Sequence, residues 1–394
     1  MLEGVNVALG VTGSIAAVKT VELAHELRRH GATVRAVMSP SATGIIHPWA
    51  VEFATEHDVI TEITGRVEHV ELCGREGWAD AFLIAPATAN TVGKIAGAVD
   101  DTPVTTTATT ALGAGVPVVV APAMHEPMYD HPGVLDAIER VEGWGVDFVA
   151  PRLEEGKAKI ASEAAIVTGL ARATTPQDLA GRHVVVTSGA TSEAVDPIRV
   201  LTNRASGTTG RAVARSCHVR GAEVTLVHDG PEAHYADTVA VESAAEMLAA
   251  VEEAAPDADA LISAAAIADY TVETADTKLR SGEPRSLELE PTPKLLDSIR
   301  EAHPELTIVG FKAETSGDDA MLEHAAALRD RVDCAFVVAN DASVMGETDT
   351  RALFVDSDSE TPADCESVVG TKQLLGERVA RRLAMEFVES ADAE

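Results

Sequence analysis

Aromatic side chains are scarce: three Trp, three Tyr and seven Phe in 394 residues. A core with so few rings must be built from alanine and valine, the usual filling of helix-covered parallel sheets. Cysteine is as sparse. Cys73, Cys217, Cys334 and Cys365 are scattered and form no CxxC pair, which argues against a zinc site or a disulfide framework and leaves reduced thiols as the default. No apolar run is long enough to span a bilayer, and the opening residues show neither the basic start nor the cleavage site of a signal peptide, so a cytoplasmic protein is expected. Positive charge is in short supply too. Lys and Arg total 31 against 63 Asp and Glu, a net charge of −32. Such a body repels nucleic acid and anionic membranes. A phosphate-bearing ligand would need a locally positive site, so the few lysines are worth following. The GxGxxG fingerprint of dinucleotide binding is also missing.

What is present falls into two successive α/β patterns, and a chain of this length has room for two or three domains. Val5–Leu9 predicts a strand, Gly10–Ile15 a glycine turn, Ala16–His30 a helix, and Thr33–Met38 a strand ending at Ser39, together a βαβ unit. The turn at Gly13, Ser14 and Ile15 is either purely structural or, with Ser39 at the neighbouring strand end, a phosphate pocket. His69, between Val67 and Leu72, is by residue type alone more often structural than catalytic. Ala81–Ala85 predicts a third strand, followed by Pro86-Ala87-Thr88-Ala89-Asn90-Thr91. There Asn90 is a helix N-cap, a donor toward a ligand, or both. The threonines Thr105–Thr107 suit helix packing and ligand contact equally. Val118–Ala121 predicts a fourth strand running into Pro122–Tyr129, and the charged run Arg152–Ile160 is by itself a solvated loop.

Thr174–Asp178 carries the proline and small polar residues of a boundary, which sets the domains at 1–173 and 181–394 with a linker over 174–180. The second domain opens with the strand Val184–Val186, a polar break over Thr187–Thr191, and Asn203, Ser206 and Gly207 before an alanine-rich helix to Arg220. Strand, polar loop and helix make either a phosphate-binding turn or an ordinary β-to-α connection. Further strands are expected at Glu223–His228 and Asp259–Ser263, the latter running into Ala264-Ala265-Ala266-Ile267-Ala268-Asp269-Tyr270. Small residues there let a ligand approach closely, although packing selects them as well. Lys278-Leu279-Arg280 is, taken alone, a solvated charge pair. A strand ending at Asp341, a hairpin over Arg351–Val369 and an amphipathic helix from Thr371 complete the chain. The expected fold class is α/β: two doubly wound, Rossmann or flavodoxin-like domains, each a mainly parallel sheet covered by helices.

The runs TSGATSEAVDPIRVLTNRASG and AAAIADY, with PATANT upstream, resemble the bifunctional coenzyme A biosynthesis flavoproteins, in which phosphopantothenoylcysteine decarboxylase is joined to phosphopantothenate–cysteine ligase. The resemblance covers nearly the whole chain and points to an archaeal, halophile-type member. It implies FMN bound at Gly13, Ser14, Ile15, Ser39, Thr88, Asn90, Thr91 and Thr106, with His69 as catalytic histidine. His125 stands where the family usually has the asparagine that holds the substrate carboxylate, and an imidazole can still donate there. The family lid over Arg152–Ile160 often carries a proton-donating cysteine. Here that position is Ala158, flanked by Lys157 and Lys159, so a lid lysine, water or Cys73 must serve, or the lysines contact the substrate phosphate.

In the second domain the resemblance implies CTP held by Ser263, Ala264, Ala265 and Asp269, by the segment Thr292-Pro293-Lys294-Leu295, and by Phe311 and Lys312. Lys278 would be catalytic and Asn203 would donate to the acyl carbonyl. Two lysines often found on the following helix are Ala326 and Asp330 here, for which Lys294 and Lys312 would compensate. The partners implied are CTP, 4′-phosphopantothenate, L-cysteine and 4′-phosphopantothenoylcysteine. Mg²⁺ or Mn²⁺ would accompany the triphosphate, with no metal ligands assignable. A homo-oligomer is implied, trimeric through the flavin domain and dimeric through the ligase domain. Two other readings remain: a ligase with a non-catalytic, regulatory flavin-binding domain, and an NAD(P) oxidoreductase, which the missing fingerprint disfavours.

The charge balance makes its own prediction. Self-repulsion among carboxylates is screened by salt, so the midpoint of thermal unfolding should rise as KCl is raised toward molar concentration. A midpoint highest at low salt would refute the reading of the acidic surface as an adaptation to salt.

Overall fold

Runs of valine and alanine form the central strands because β-branched and small side chains suit sheets covered on both faces. The computed structural model describes residues 1–282, 284–341 and 349–392. Two compact units are present, Met1–Pro176 and Gln177–Glu394.

The strands of the first unit are β1 (Asn6–Val11), β2 (Thr33–Met38), β3 (Ala81–Ala87), β4 (Val118–Pro122), β5 (Met124–His125), β6 (Asp147–Phe148), β7 (Arg152–Glu154) and β8 (Lys157–Lys159). A parallel sheet has the order β2-β1-β3-β4-β6. All seven residues of β3 are buried. This is the flavodoxin-like order, whose ligand crevice opens between the first and third strands. Glycine breaks the turn later than the sequence suggests: β1 runs through Gly10 and Val11, and a 3₁₀ turn, Ile15–Lys19, precedes the helix Thr20–Arg29. The lid expected as a loop is a small antiparallel sheet, β5-β8-β7.

The second unit contains β9 (His183–Ser188), β10 (Ser192–Ala194), β11 (Val200–Thr202), β12 (Glu223–His228), β13 (Asp237–Ala240), β14 (Ala260–Ser263), β15 (Tyr270–Val272), β16 (Leu289–Pro291), β17 (Thr307–Glu314), β18 (Phe336–Asp341), β19 (Asp349–Val355) and β20 (Glu366–Thr371). Its main sheet has the order β13-β12-β9-β14-β17-β18-β19-β20. It is parallel through β18, and β19 and β20 run antiparallel. The first six are in Rossmann order, with the reversal between β9 and β14. Two excursions interrupt it: the hairpin β10–β11 before the helix Thr208–Val219, and the pair β15–β16 after β14. The helix Lys372–Asp392 packs on Thr208–Val219. A Cβ on Gly376 would lie 2.6 Å from the Ala212 carbonyl oxygen, so only glycine permits this approach. No helix among the described residues is long and apolar enough to cross a membrane.

The boundary differs from the expected linker of 174–180. The helix Glu163–Thr174 ends the first unit, and the second begins at Gln177. The Gln177 amide donates to the Val219 carbonyl at 3.1 Å, and the Leu179 N–H donates to the Arg220 carbonyl at 2.9 Å. The Leu179 side chain is fully buried in the second core. Its hydrophobicity, masked in the sequence by polar neighbours, makes Gln177–Ala180 part of that unit. Leu179→Ala should therefore destabilise the second unit by about 2–5 kcal/mol and lower the unfolding midpoint of a 177–394 fragment as it does that of the full chain. Comparing calorimetry of the full variant with that of the separate fragment 177–394 checks this; equal midpoints for wild type and variant would refute it.

Candidate functional site

In the first unit the loops following β1, β2 and β3 all reach the carboxyl edge of the sheet. Thr12, buried at the end of β1, donates through its hydroxyl to the Pro86 carbonyl at 2.8 Å and accepts from the Thr88 N–H at 3.2 Å. That clamp sets the β1 and β3 loops side by side. A Cβ at Gly13 would lie 2.4 Å from the Ser41 hydroxyl oxygen, so glycine is required there by the neighbouring loop. Ser14 donates to the Ala123 carbonyl at 3.1 Å and caps the 3₁₀ turn, while Ser39, buried, caps residues 40–43 and pairs with Ser41 at 3.1 Å. Ile15 is 79% exposed. The N-cap of the helix Ala89–Ala96 is Thr88, which accepts from the Thr91 N–H at 3.2 Å; Asn90 is the second residue of the helix and is exposed. The N-cap role considered for Asn90 thus belongs to Thr88. Thr106 donates to the Thr102 carbonyl at 2.9 Å, within the helix Pro103–Ala114, so its hydroxyl bonds inside its own helix. These hydroxyls build the edge, and each retains further acceptor capacity.

His69 sits in the first turn of the helix Glu68–Cys73, which packs against Pro103–Ala114. Its Nδ1 is buried and has no hydrogen-bond partner. An unpaired buried polar atom costs about 1–3 kcal/mol, a deficit that a ligand or water would relieve. Together with the switch-point crevice, that orphaned nitrogen fits a bound flavin. His125 is exposed at the end of β5, and its register partner is Lys157 of β8, so the strand pairing brings together two residues 32 apart. Tyr129 packs against the core, and burial raises its phenol pKa.

Of the two lid lysines, Lys159 does not suit the role of proton donor. Ala158 is buried, and Lys157 and Lys159 occupy the opposite face of the strand. Lys159 pairs with Glu155 at 2.9 Å and Glu154 at 3.1 Å, and those bonds raise its pKa. A lysine held this way is a poor acid near neutrality. Cys73 fails for another reason: it is fully buried in the core, and burial pushes its thiol up to about 12.

In the second unit a cavity of about 390 Å³ opens at the β9/β14 switch point. Its walls include Gly189, Ser206–Gly210, Ser263–Asp269, Thr292–Asp297, Phe311, Lys312, Arg331, Asn340 and Lys372. The alanine segment offers less than expected in hydrogen bonds. Ala264 and Ala265 donate their N–H groups to the Thr187 carbonyl and hydroxyl at 3.3 and 3.2 Å. Ser263 closes β14, and this stretch presents a low-profile wall rather than a row of free donors. Asp269 and Lys294 form an ion pair at 2.6 Å on the rim. Thr292 is buried and gives its hydroxyl to the Ala268 carbonyl at 2.5 Å, so it ties the two rim segments together. Pro293 is exposed beside it, and Leu295 reaches into the core.

Two expected residues stand off the cavity wall. Asn203 donates to the Ala266 carbonyl at 2.7 Å from just outside it. Lys278 lies in the excursion between β15 and β16, exposed and with no ion pair among the described residues; it does not line the cavity. Conversely, Lys372 and Arg331 line it and were not singled out from sequence. Eight lysines occur in the chain, and of the four in this unit, three (Lys294, Lys312 and Lys372) line the cavity. Among the described wall residues, four basic side chains face three acidic ones, in a protein whose carboxylates outnumber its cations about two to one. Lys372 is also at the start of a helix, where the macrodipole disfavours a cation. Nothing in its local sequence signals the cavity, because β19 and β20 bring it there. Among the described residues, no group of three or more His, Cys, Asp or Glu could hold a metal.

Residues 1–175 match the Flavoprotein family model, and residues 179–386 match the model of the DNA/pantothenate metabolism flavoprotein C-terminal domain. The coenzyme A biosynthesis bifunctional protein CoaBC of Thermococcus kodakarensis is 48% identical over 364 residues, covering 91% of this chain and 90% of that protein. The CoaBC proteins of Methanocaldococcus jannaschii and Bacillus subtilis are each 34% identical, over 97% and 90% of this chain and 94% and 91% of their own lengths. This chain therefore belongs to the CoaBC family of bifunctional enzymes, which join cysteine to phosphopantothenate and decarboxylate the product in the synthesis of coenzyme A.

Proposed function

We propose that the cavity at the β9/β14 switch point binds CTP and that ligation takes place at its mouth. The observation that carries this is the gathering of Lys294, Lys312 and Lys372 around one cavity of a strongly acidic protein. Their charge offsets that of a triphosphate, with Mg²⁺ or Mn²⁺ entering on the nucleotide. Phe311 supplies an apolar surface for the base. The carboxylate of 4′-phosphopantothenate attacks the α-phosphate, pyrophosphate leaves, and the amine of L-cysteine displaces CMP from the acyl-cytidylate. Lys278 stabilises the charge that develops in transfer, and Asn203 lies beside the acyl group.

In the first unit, FMN bound in the β1/β3 crevice would oxidise the cysteinyl thiol of 4′-phosphopantothenoylcysteine and later return the hydride. The loops of Gly13, Ser14, Ser39 and Thr88 cradle it. His69, with its unpaired Nδ1, is the base. His125 holds the substrate carboxylate. For the late proton, Cys73 and Lys159 are set aside by their pKa values, which leaves water or Lys157, the register partner of His125. A homo-oligomer, trimeric through this unit and dimeric through the ligase unit, and a cytoplasmic setting complete the reading. Trp49 and Phe53, each 75% exposed on one helix, support a subunit contact in the first unit.

The direct test is to purify the protein, record its flavin absorbance, and supply phosphopantothenate, cysteine and CTP. Release of CO₂ and pyrophosphate is expected, and a colourless protein that releases neither would overturn the proposal. His69→Asn should keep the flavin absorbance and lower CO₂ release by about 10²–10⁴; loss of colour would make it structural instead. Lys278→Gln should lower the ligase kcat by about 10²–10³. Lys372→Met should raise KM for CTP roughly tenfold at similar kcat, as expected for a lost charge-assisted contact. An unchanged KM would remove Lys372 from the site.

A further inference from the structure

The hairpin β10–β11 presents two buried carboxylates to the segment that carries Lys278. Glu193 accepts from the Thr271 hydroxyl at 2.9 Å and from the Ala244 N–H at 2.9 Å. Beyond it, Thr274 donates to the Ala194 carbonyl at 2.8 Å and Ala275 to the Val195 carbonyl at 3.1 Å. Asp196 makes the last tie: one carboxylate oxygen accepts the Leu279 N–H at 3.0 Å. The chain from β15 to Leu279 thus runs along residues 193–196, and Lys278 lies between the last two anchors.

Asp196 is 2% exposed, and its carboxylate has no exposed surface. Its other oxygen accepts the N–H groups of Ile198 and Arg199, each at 2.9 Å, and the Arg199 guanidinium lies 2.9 Å away. Arg199 also donates to the Leu279 carbonyl. The Asp196–Arg199 pair therefore holds both the N–H and the C=O of the residue next to Lys278. Burial pushes the carboxyl pKa up, but the three N–H donors and the guanidinium hold it below the ordinary range. A charge kept this deep is stable only because every donor is in place. Leu279 is half-buried, whereas Lys278 and Arg280 are exposed; the tie fixes the backbone and leaves the flanking cations free.

We propose that Asp196 is a positioning residue of the ligase: it anchors Leu279 and so presents Lys278 for phosphoryl transfer. This rests on the reading of Lys278 as catalytic. A misplaced catalytic group costs rate more than binding, which gives the inference a signature distinct from simple destabilisation.

In the full-length protein, Asp196→Asn should lower the ligase kcat at least about tenfold with KM for CTP little changed. Combined with Lys278→Gln it should be no slower than Lys278→Gln alone, because both act through one amine. Brief trypsin treatment should cut after Lys278 and Arg280 faster than in wild type, with other sites still protected. Leu279→Pro deletes the N–H while leaving Asp196 its other donors, and should reproduce these effects if Asp196→Asn fails to fold. Wild-type kcat and cleavage rate in a folded variant, or fully additive losses in the double variant, would overturn the proposal. If Lys278→Gln proves fully active while Asp196→Asn still exposes the two cleavage sites, the anchor stands and the catalytic reading of Lys278 is what fails.

Discussion

A parallel sheet delivers the carboxyl ends of all its strands to one edge, and the loops part where the strand order reverses. In the first unit that gap lies between β1 and β3 and is bridged by Thr12 of the β1 loop, whose hydroxyl bonds to Pro86 and Thr88 of the β3 segment. In the second it lies between β9 and β14, where Thr187 and Gly189 take N–H groups from the alanine segment and hold open the cavity beyond. The two units thus share one topological device, with different loops at each edge.

Electrostatics sets the second constraint. An acidic protein that handles phosphorylated substrates has to concentrate its few cations where they counter its own field. Lys294 enters from the segment before a helix, Lys312 from β17 and Lys372 from the start of the helix after β20, so the cations around the cavity come from three distant stretches. The lid shows the opposite use of charge. Lys159 is neutralised by its own hairpin neighbours, which explains how a lysine beside the family's proton-donor position is unsuited to that role.

The acidic composition also has an internal use. Most carboxylates lie on the surface, but Glu193 and Asp196 are buried and fully engaged, and they fasten the β15 segment to the β10–β11 hairpin. Here the donors are mostly backbone N–H groups. Buried charge therefore serves to fix the course of an irregular segment, which has no strand ladder of its own to do so.

Much of this was legible in the sequence because it is local. Runs of valine bounded by glycine and polar residues marked β2 and β12 to the residue and β1, β3, β4, β9, β14 and β18 to within a few residues, whereas β6, β13 and β17 were not foreseen. The motif AAAIADY pointed to the loop that lines the cavity of the second unit. The sequence did not show the N-cap passing from Asn90 to Thr88, the lid folding as β5-β8-β7, Leu179 belonging to the second core, Cys73 lying too deep to act, or Lys372 arriving at the cavity. Leu179, Cys73 and Lys372 turn on burial or on partners tens to hundreds of residues away, and β5 joins the lid only through pairing with β8; the N-cap at Thr88 is a local choice between two neighbouring side chains. A local pattern says which side chains can bond or ionise, but only the packed structure determines which of them lose water and which partner they meet.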